Sequence, residues 1–196
     1  LSQVTYERLS GTQVLRDFVE LPSQLFEHWA FEPEVLQRHA LHHATGQAIP
    51  EELIDRLKAA QRFNQGFETV EYTACALVDI ALHALPDADG VDITAFERAE
   101  LQRIGMPREI VLRHRLPHFG HLFASSGYAA GYYVYLWAEV LDADGYDSFV
   151  EAGNPFDPEV AERVRRYVYS SGGTLLPAEA YRAFRGRDPV VGPLLA

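Results

Sequence analysis

The 196-residue sequence has one cysteine, one methionine and 17 lysines and arginines against 28 aspartates and glutamates. A single thiol cannot close an internal disulfide, so the fold must stand on its core, and a chain of this length can bury one without staples. Cys75 lies in the apolar run Thr73-Ala-Cys-Ala-Leu-Val78. That is the setting of a buried, inert thiol in a reducing compartment, which points to the cytoplasm. A formal charge of −11 without any basic cluster excludes a nucleic-acid partner, because binding a phosphate backbone needs a basic stripe that displaces counterions. No apolar run approaches the ~20 residues of a membrane span, and no charged segment leads into an apolar leader, so neither a membrane nor a secretory role is expected. H-E-x-x-H, paired C-x-x-C, a phosphate-binding loop, G-x-S-x-G and G-x-G-x-x-G are all absent, which leaves no complete catalytic motif. The first residue is Leu1, and Leu1-Ser-Gln-Val-Thr-Tyr6 does not read as a natural start.

Strand-like alternation is missing too, and the dominant period is helical. Val14, Phe18, Leu21 and Leu25 fall at i, i+4, i+7 and i+11, with Asp17, Glu20, Gln24 and Glu27 opposite them. Pro22 should bend that helix, since its ring removes a donor and crowds the preceding turn. A second helix is expected from Pro33-Glu34 to about His43. A third opens at Pro50-Glu51-Glu52, with proline at the first position and acids complementing the dipole. Apolar spacing from Leu53 through Leu57, Phe63, Phe67, Val70, Ala74, Leu77 and Ile80 predicts a long helix broken near Asn64-Gln65-Gly66. Thr94-Ala-Phe-Glu97 fits a capping box for a helix ending near Gly105. Further helices are expected from Tyr128 to Leu141, from Asp157-Pro158 to Tyr169, and from Pro177 onward. The fold class is therefore mainly α, in one domain without repeats or low-complexity linkers.

Three clusters could carry chemistry. His39, His42 and His43 at i, i+3 and i+4 could clamp a transition metal, or simply enrich a helix C-terminus in positive charge. Glu20, just before the expected kink, shares a face with Asp17 and Gln24, as a metal's ligand and its supporting groups would; it also suits a solvated polar face, and it is one ligand only. Tyr128, Tyr132 and Tyr135 at i, i+4 and i+7 line one face of the expected helix after Ser125-Ser126-Gly127. Such a stripe can be core, but buried phenols need partners, and phenol donors beside a glycine-containing turn suit stabilisation of an oxyanion.

The segments Leu9-Ser-Gly-Thr12, Arg16-Asp-Phe-Val-Glu-Leu-Pro-Ser-Gln24 with Glu27-His-Trp29, Arg113-His114, and Pro117-His-Phe119 with His121 occur in that order. They are followed by Gly127-Tyr-Ala-Ala-Gly-Tyr-Tyr-Val-Tyr-Leu-Trp-Ala-Glu-Val-Leu-Asp-Ala-Asp144. Together they resemble the C-terminal half of the catalytic domain of zinc peptidases of the thimet oligopeptidase and bacterial peptidyl-dipeptidase family. Asn154-Pro155, Gly172-Gly173 and Phe184-Arg-Gly-Arg187-Asp-Pro189 resemble its peptidyl-dipeptidase branch.

The resemblance implies a multi-helix, incomplete half of a gluzincin-type catalytic domain over residues 1–196, and one zinc ion with Glu20 as its third ligand. The two His ligands and general-base Glu of H-E-x-x-H would lie just upstream of the stretch matching Leu1–Tyr6, outside this chain. It further implies catalytic roles for His121, Tyr128 and Tyr135, and substrate binding at Tyr132 and at Gly127 on a mobile loop. His39, His42 and His43 match no ligand position of the family. The implied partners are short peptides and the N-terminal portion of the same enzyme. Two readings follow. One is a portion of an oligopeptidase, releasing C-terminal dipeptides, that is inactive alone. The other is a truncated, inactive fragment serving at most as a binding or assembly module.

Overall fold

Backbone pairing in the computed structural model, which describes residues 1–196, is helical apart from one antiparallel bridge between Leu41 and Ala48. The chain divides into two compact units, Leu1–Lys58 with Val134–Ala196, and Ala59–Tyr133. The mainly α expectation holds.

In the first unit the expected kinked helix is two helices, α1 (Arg16–Val19) and α2 (Leu21–Ala30). Pro22 lies in the first turn of α2, where a missing N–H costs nothing, and Glu20 occupies the break. The next helix, α3 (Pro33–His39), is shorter than expected. The chain turns after Ala40, where the His42 amide donates to the Gln47 carbonyl at 2.8 Å and His42 Nδ1 accepts the Thr45 amide at 3.2 Å. His42 and His43 are thus off the helix, and the three histidines do not share one helical face. Helix α4 (Glu51–Gln61) opens at Pro50 as the acids in its first turn indicate, and Asn64, at φ 59°, separates it from α5 (Gln65–His83).

The core of the first unit joins Phe18, Leu21 and Leu25 to α8 (Val134–Glu151), α9 (Pro158–Val164) and α10 (Pro177–Arg185). Helix α8 starts six residues later and runs ten residues further than the sequence suggests. Beyond the expected end at Leu141, Asp142 and Asp144 are buried and paired within the helix. Gly145 is a packing position: a Cβ there would lie 3.3 Å from the Phe184 ring.

Asp144, fully buried, accepts the Tyr181 hydroxyl at 2.6 Å and pairs with Arg187 at 2.6 Å, while its carbonyl accepts Arg185 Nε at 2.9 Å. Arg185 also forks onto both Glu151 oxygens at 2.7 Å. This network staples α10 to α8. Trp29 donates to the Pro155 carbonyl at 2.7 Å and stands edge-on to Phe149, tying α2 to the turn after α8. Asp157 caps α9 through the amides of Glu159 and Val160. The last turn, Arg165–Tyr169, widens to a π-helix, so the helix expected through Tyr169 is continuous but underwound at its end. Gly172, at φ 51°, abuts the Leu9 carbonyl so closely that any Cβ would collide with it.

In the second unit, α5 buries Ala74, Cys75 and Val78. Phe63, Phe67, Val70, Leu77 and Ile80 of the same expected stripe are exposed. Asp92, not Thr94, caps α6 (Ile93–Arg103): one of its oxygens accepts the Thr94 and Ala95 amides at 3.0 Å. Glu97 is therefore not the partner in a capping box. It is buried, and accepts Arg115 Nε at 2.5 Å and the Leu116 amide at 2.9 Å. Gly105, at φ 72°, closes α6 near the expected point.

Two measurements test this packing. Asp144→Ala should lower stability by about 1–3 kcal/mol in urea unfolding, because it takes the carboxylate partner from the buried Tyr181 hydroxyl and from Arg187; a loss well under about 1 kcal/mol, typical of a surface pair, would contradict the staple. Cys75 is 2% exposed and its thiol is pushed up by burial. It should react with a thiol reagent only on unfolding, and rapid labelling of the native protein would refute its burial.

Candidate functional site

Glu20 stands at the α1–α2 break with its carboxylate half-buried. Its carbonyl and Oε2 both accept the Ser23 hydroxyl, at 2.9 and 3.4 Å. It lines a cleft of about 390 Å³ with Ser2, Thr12, Phe18, Tyr169 and Gly172. Asp17 opens on a different cleft, beside Trp137 and Asp188, so the sequence-level grouping of Asp17 with Glu20 is not formed. One turn beyond Glu20, Gln24 Nε2 donates to the Tyr135 carbonyl at 3.3 Å. That bond registers the glutamate-bearing helix against the first turn of α8, where Tyr135 is half-buried. Gln24 Oε1 is buried with no hydrogen-bond partner, an open acceptor next to this segment.

Further along the same helices, His28 pairs with Asp142 at 2.8 Å and stacks on Tyr146 at 4.4 Å. The Tyr146 hydroxyl donates to Glu32. Burial pushes the Asp142 carboxyl up against the opposing pull of His28, and burial, reinforced by Asp142, does the same at Glu139.

The histidine and the remaining tyrosines of interest belong to the second unit. Leu116–His118 forms a 3-10 turn, α7 (Gly120–Phe123) carries His121, and Ser126–Tyr128 forms another 3-10 turn. The Tyr128, Tyr132 and Tyr135 helix face is therefore corrected: Tyr128 is in that turn, Tyr132 is in irregular chain, and only Tyr135 is helical. The cause is Asp79. This fully buried carboxylate accepts the Ala130 amide at 3.1 Å and the Tyr132 amide at 2.9 Å, and pairs with His83 Nδ1 at 2.7 Å. An amide bonded to Asp79 cannot also serve a helical i−4 carbonyl. Ala130 takes φ 52°. The left-handed region costs an alanine about 1–2 kcal/mol, and hydrogen bonds to a charged acceptor, about 1.5–3 kcal/mol each, offset it.

What the loop gathers is aromatic. The His121 ring stands edge-on to Tyr128 at 4.9 Å and to Tyr132 at 5.6 Å. Tyr132 stacks on Tyr72 at 4.9 Å and meets Phe119 edge-on at 4.9 Å, and the Tyr72 hydroxyl donates to its carbonyl. Tyr132 is buried, and burial pushes its phenol up. Arg113 forks onto Glu71 Oε2 at 3.1 and 3.3 Å. Gly127 and Tyr128 are exposed.

His121, Tyr128, Tyr132 and Gly127 are thus neighbours in the second unit, and Glu20 and Tyr135 belong to the first. Asp79 and Glu97, which hold the loop's backbone, escape sequence analysis. Glu97 reads there as a capping residue, and Asp79 draws no reading at all. A charged residue inside a run otherwise destined for burial is the one signal that could have drawn attention to Asp79.

No group of three or more His, Cys, Asp or Glu side chains is placed to hold a metal ion. The residues present fit a share in a metal site and not a whole one: a braced, half-buried carboxylate on a cleft is one oxygen donor of the three protein ligands a catalytic zinc needs.

The model of peptidase family M3 matches residues 1–196. The chain is 41% identical over 193 residues to the dipeptidyl carboxypeptidase of Escherichia coli (strain K12), covering 97% of this chain and 28% of that protein. It is 37% identical over 182 residues to oligopeptidase A of the same organism, covering 91% and 26%. Against the probable cytosolic oligopeptidase A of Arabidopsis thaliana it is 37% identical over 190 residues, again covering 91% and 26%. It spans about a quarter of the length of these relatives. With that match over its full length, the chain belongs to peptidase family M3.

Proposed function

We propose that these residues form part of the catalytic domain of a cytoplasmic, zinc-dependent oligopeptidase that releases dipeptides from the C-termini of short peptides. The observation that carries this reading is the Asp17-Phe-Val-Glu-Leu-Pro-Ser-Gln24 segment. It folds with its helix broken at Glu20, presents that carboxylate to a cleft, and is registered on Tyr135 through Gln24. Family membership and the dipeptidyl carboxypeptidase relative support the chemistry. The relative named as a cytosolic oligopeptidase supports the compartment, as does an unpaired, buried Cys75. No helix is long and apolar enough to cross a membrane.

In this reading Glu20 supplies one zinc ligand, and two histidines and a general-base glutamate come from the N-terminal portion of the same enzyme. The exposed stripe Phe63, Phe67, Val70, Leu77 and Ile80 offers apolar surface for that portion. Bound zinc supplies Lewis-acid polarisation of the scissile carbonyl and a water acidic enough to be deprotonated near neutral pH. The Tyr135 phenol donates a hydrogen bond where the carbonyl oxygen becomes negative, and is worth most there because the charge exists only in the transition state. His121 and Tyr128 assist from the aromatic cluster. Tyr132 and Gly127 hold the peptide. By itself the chain has no general base and one ligand, and no turnover is expected of it.

In the intact enzyme, Glu20→Ala should abolish zinc retention by elemental analysis, since two histidines alone leave the ion under-coordinated; unchanged zinc would contradict the ligand assignment. Tyr135→Phe should lower kcat on the order of 10²–10³-fold with KM little changed. A rise in KM alone would show that the hydroxyl only positions substrate.

A further inference from the structure

We infer that Asp79 is a positioning residue for peptide hydrolysis, its carboxylate fixing the backbone from Ala130 to Tyr132 so that the His121, Tyr128 and Tyr132 cluster is presented in one arrangement. The inference rests on the reading above, in which that cluster meets the peptide.

The argument starts from cost. A carboxylate with no exposed surface gives up all its hydration, a cost that only fixed partners can offset. What Asp79 gains in return is specific. Its two oxygens divide between two amides of one loop, Oδ1 taking Ala130 and Oδ2 taking Tyr132. Those amides flank Gly131, itself buried. The His83 ring, on the same helix, closes the remaining side of Oδ1.

Bidentate capture of two amides two residues apart leaves the peptide between them little freedom. It forces Ala130 into the left-handed region, and it sets the direction in which the chain leaves Tyr132. Residues 124–133 have no helix longer than one 3-10 turn, so their conformation is not maintained by their own ladder. The anchor lies on a 19-residue helix, which is the rigid support that a positioned donor needs. Tyr132 itself is gripped at three points. Asp79 holds its amide, the Tyr72 hydroxyl holds its carbonyl, and Tyr72 and Phe119 hold its ring.

The test uses the intact, zinc-loaded enzyme. In Asp79→Asn the side-chain NH2 faces an N–H donor, so at most one of the two loop amides stays bonded. A displacement near 1 Å at a reacting group costs up to about 10²-fold in rate. The variant should therefore lose about 10- to 100-fold in kcat, with a rise in KM as Tyr132's hold on the peptide loosens. Zinc content should be unchanged, and amide hydrogen exchange at Ala130 and Tyr132 should accelerate. Should the variant not fold, exchange in the wild-type enzyme decides: Ala130 and Tyr132 should exchange at least about 10²-fold more slowly than Ser126 and Gly127. Equal rates would overturn the anchor. A folded Asp79→Asn enzyme with faster exchange but wild-type kcat would refute positioning and leave the proposed function standing. Wild-type kcat in both Tyr128→Phe and Tyr132→Phe would instead remove the role of the cluster, and the inference with it.

Discussion

The first unit depends on a carboxylate with no access to water. Asp144 sits in the middle of α8 and gathers Tyr181 and Arg187 with its side chain and Arg185 with its carbonyl. The cost of taking that charge out of solvent is offset by the Tyr181 hydroxyl on one oxygen and the Arg187 guanidinium on the other. Burial and the neighbouring carboxylate push the Tyr181 phenol far above its ordinary range, so it stays a donor to Asp144. Once α10 is locked to α8, Phe184 can press against Gly145 and the Phe18, Leu21 and Leu25 face has a floor to pack on. A helix rises 1.5 Å per residue, so fixing Asp144 also fixes Tyr135, about 14 Å away along the same axis.

The second unit uses the same device for a different end. Asp79 and Glu97 are buried carboxylates that hold irregular chain through backbone amides: Ala130 and Tyr132 on one, Leu116 on the other. Both are carried on helices, and both hold segments flanking the short α7 that bears His121. The result is a loop with little regular structure of its own whose shape is dictated by two rigid neighbours. A catalytic segment benefits from that division of labour, because irregular backbone can aim side chains that a helix cannot, provided something else supplies the rigidity.

Helix-forming signals that depend on neighbours in sequence were legible. Pro33, Pro50, Asp157-Pro158 and Pro177 each start a helix, the expected break falls at Asn64 just before α5, Gly105 ends α6, and the apolar face of α1 and α2 is core. Signals that depend on distant partners were not. Asp142-Ala-Asp-Gly145 has a loop's composition, and only Arg187, Tyr181, His28 and Phe184 make it helix interior. The tyrosine spacing 128, 132 and 135 is helical on paper, yet Asp79, some fifty residues earlier, takes the amides that a helix would need. Glu97 is displaced from a capping box by Asp92 and recruited by Arg115. The exposed stripe on α5 has the right period for a buried face without a partner within this chain's own unit to bury it. Of the candidate site, local pattern supplied Glu20 at a helix break and a cluster of aromatic donors. The carboxylates that hold the loop required the fold.

The central claim is that Glu20 completes a zinc site whose other ligands lie elsewhere in the enzyme. Anomalous diffraction at the zinc absorption edge from crystals of the intact, zinc-loaded enzyme addresses it directly. The account predicts one strong peak about 2.0–2.2 Å from a Glu20 carboxylate oxygen, the bond length of a zinc carboxylate. A fully occupied zinc peak with no Glu20 oxygen in its coordination sphere would contradict it.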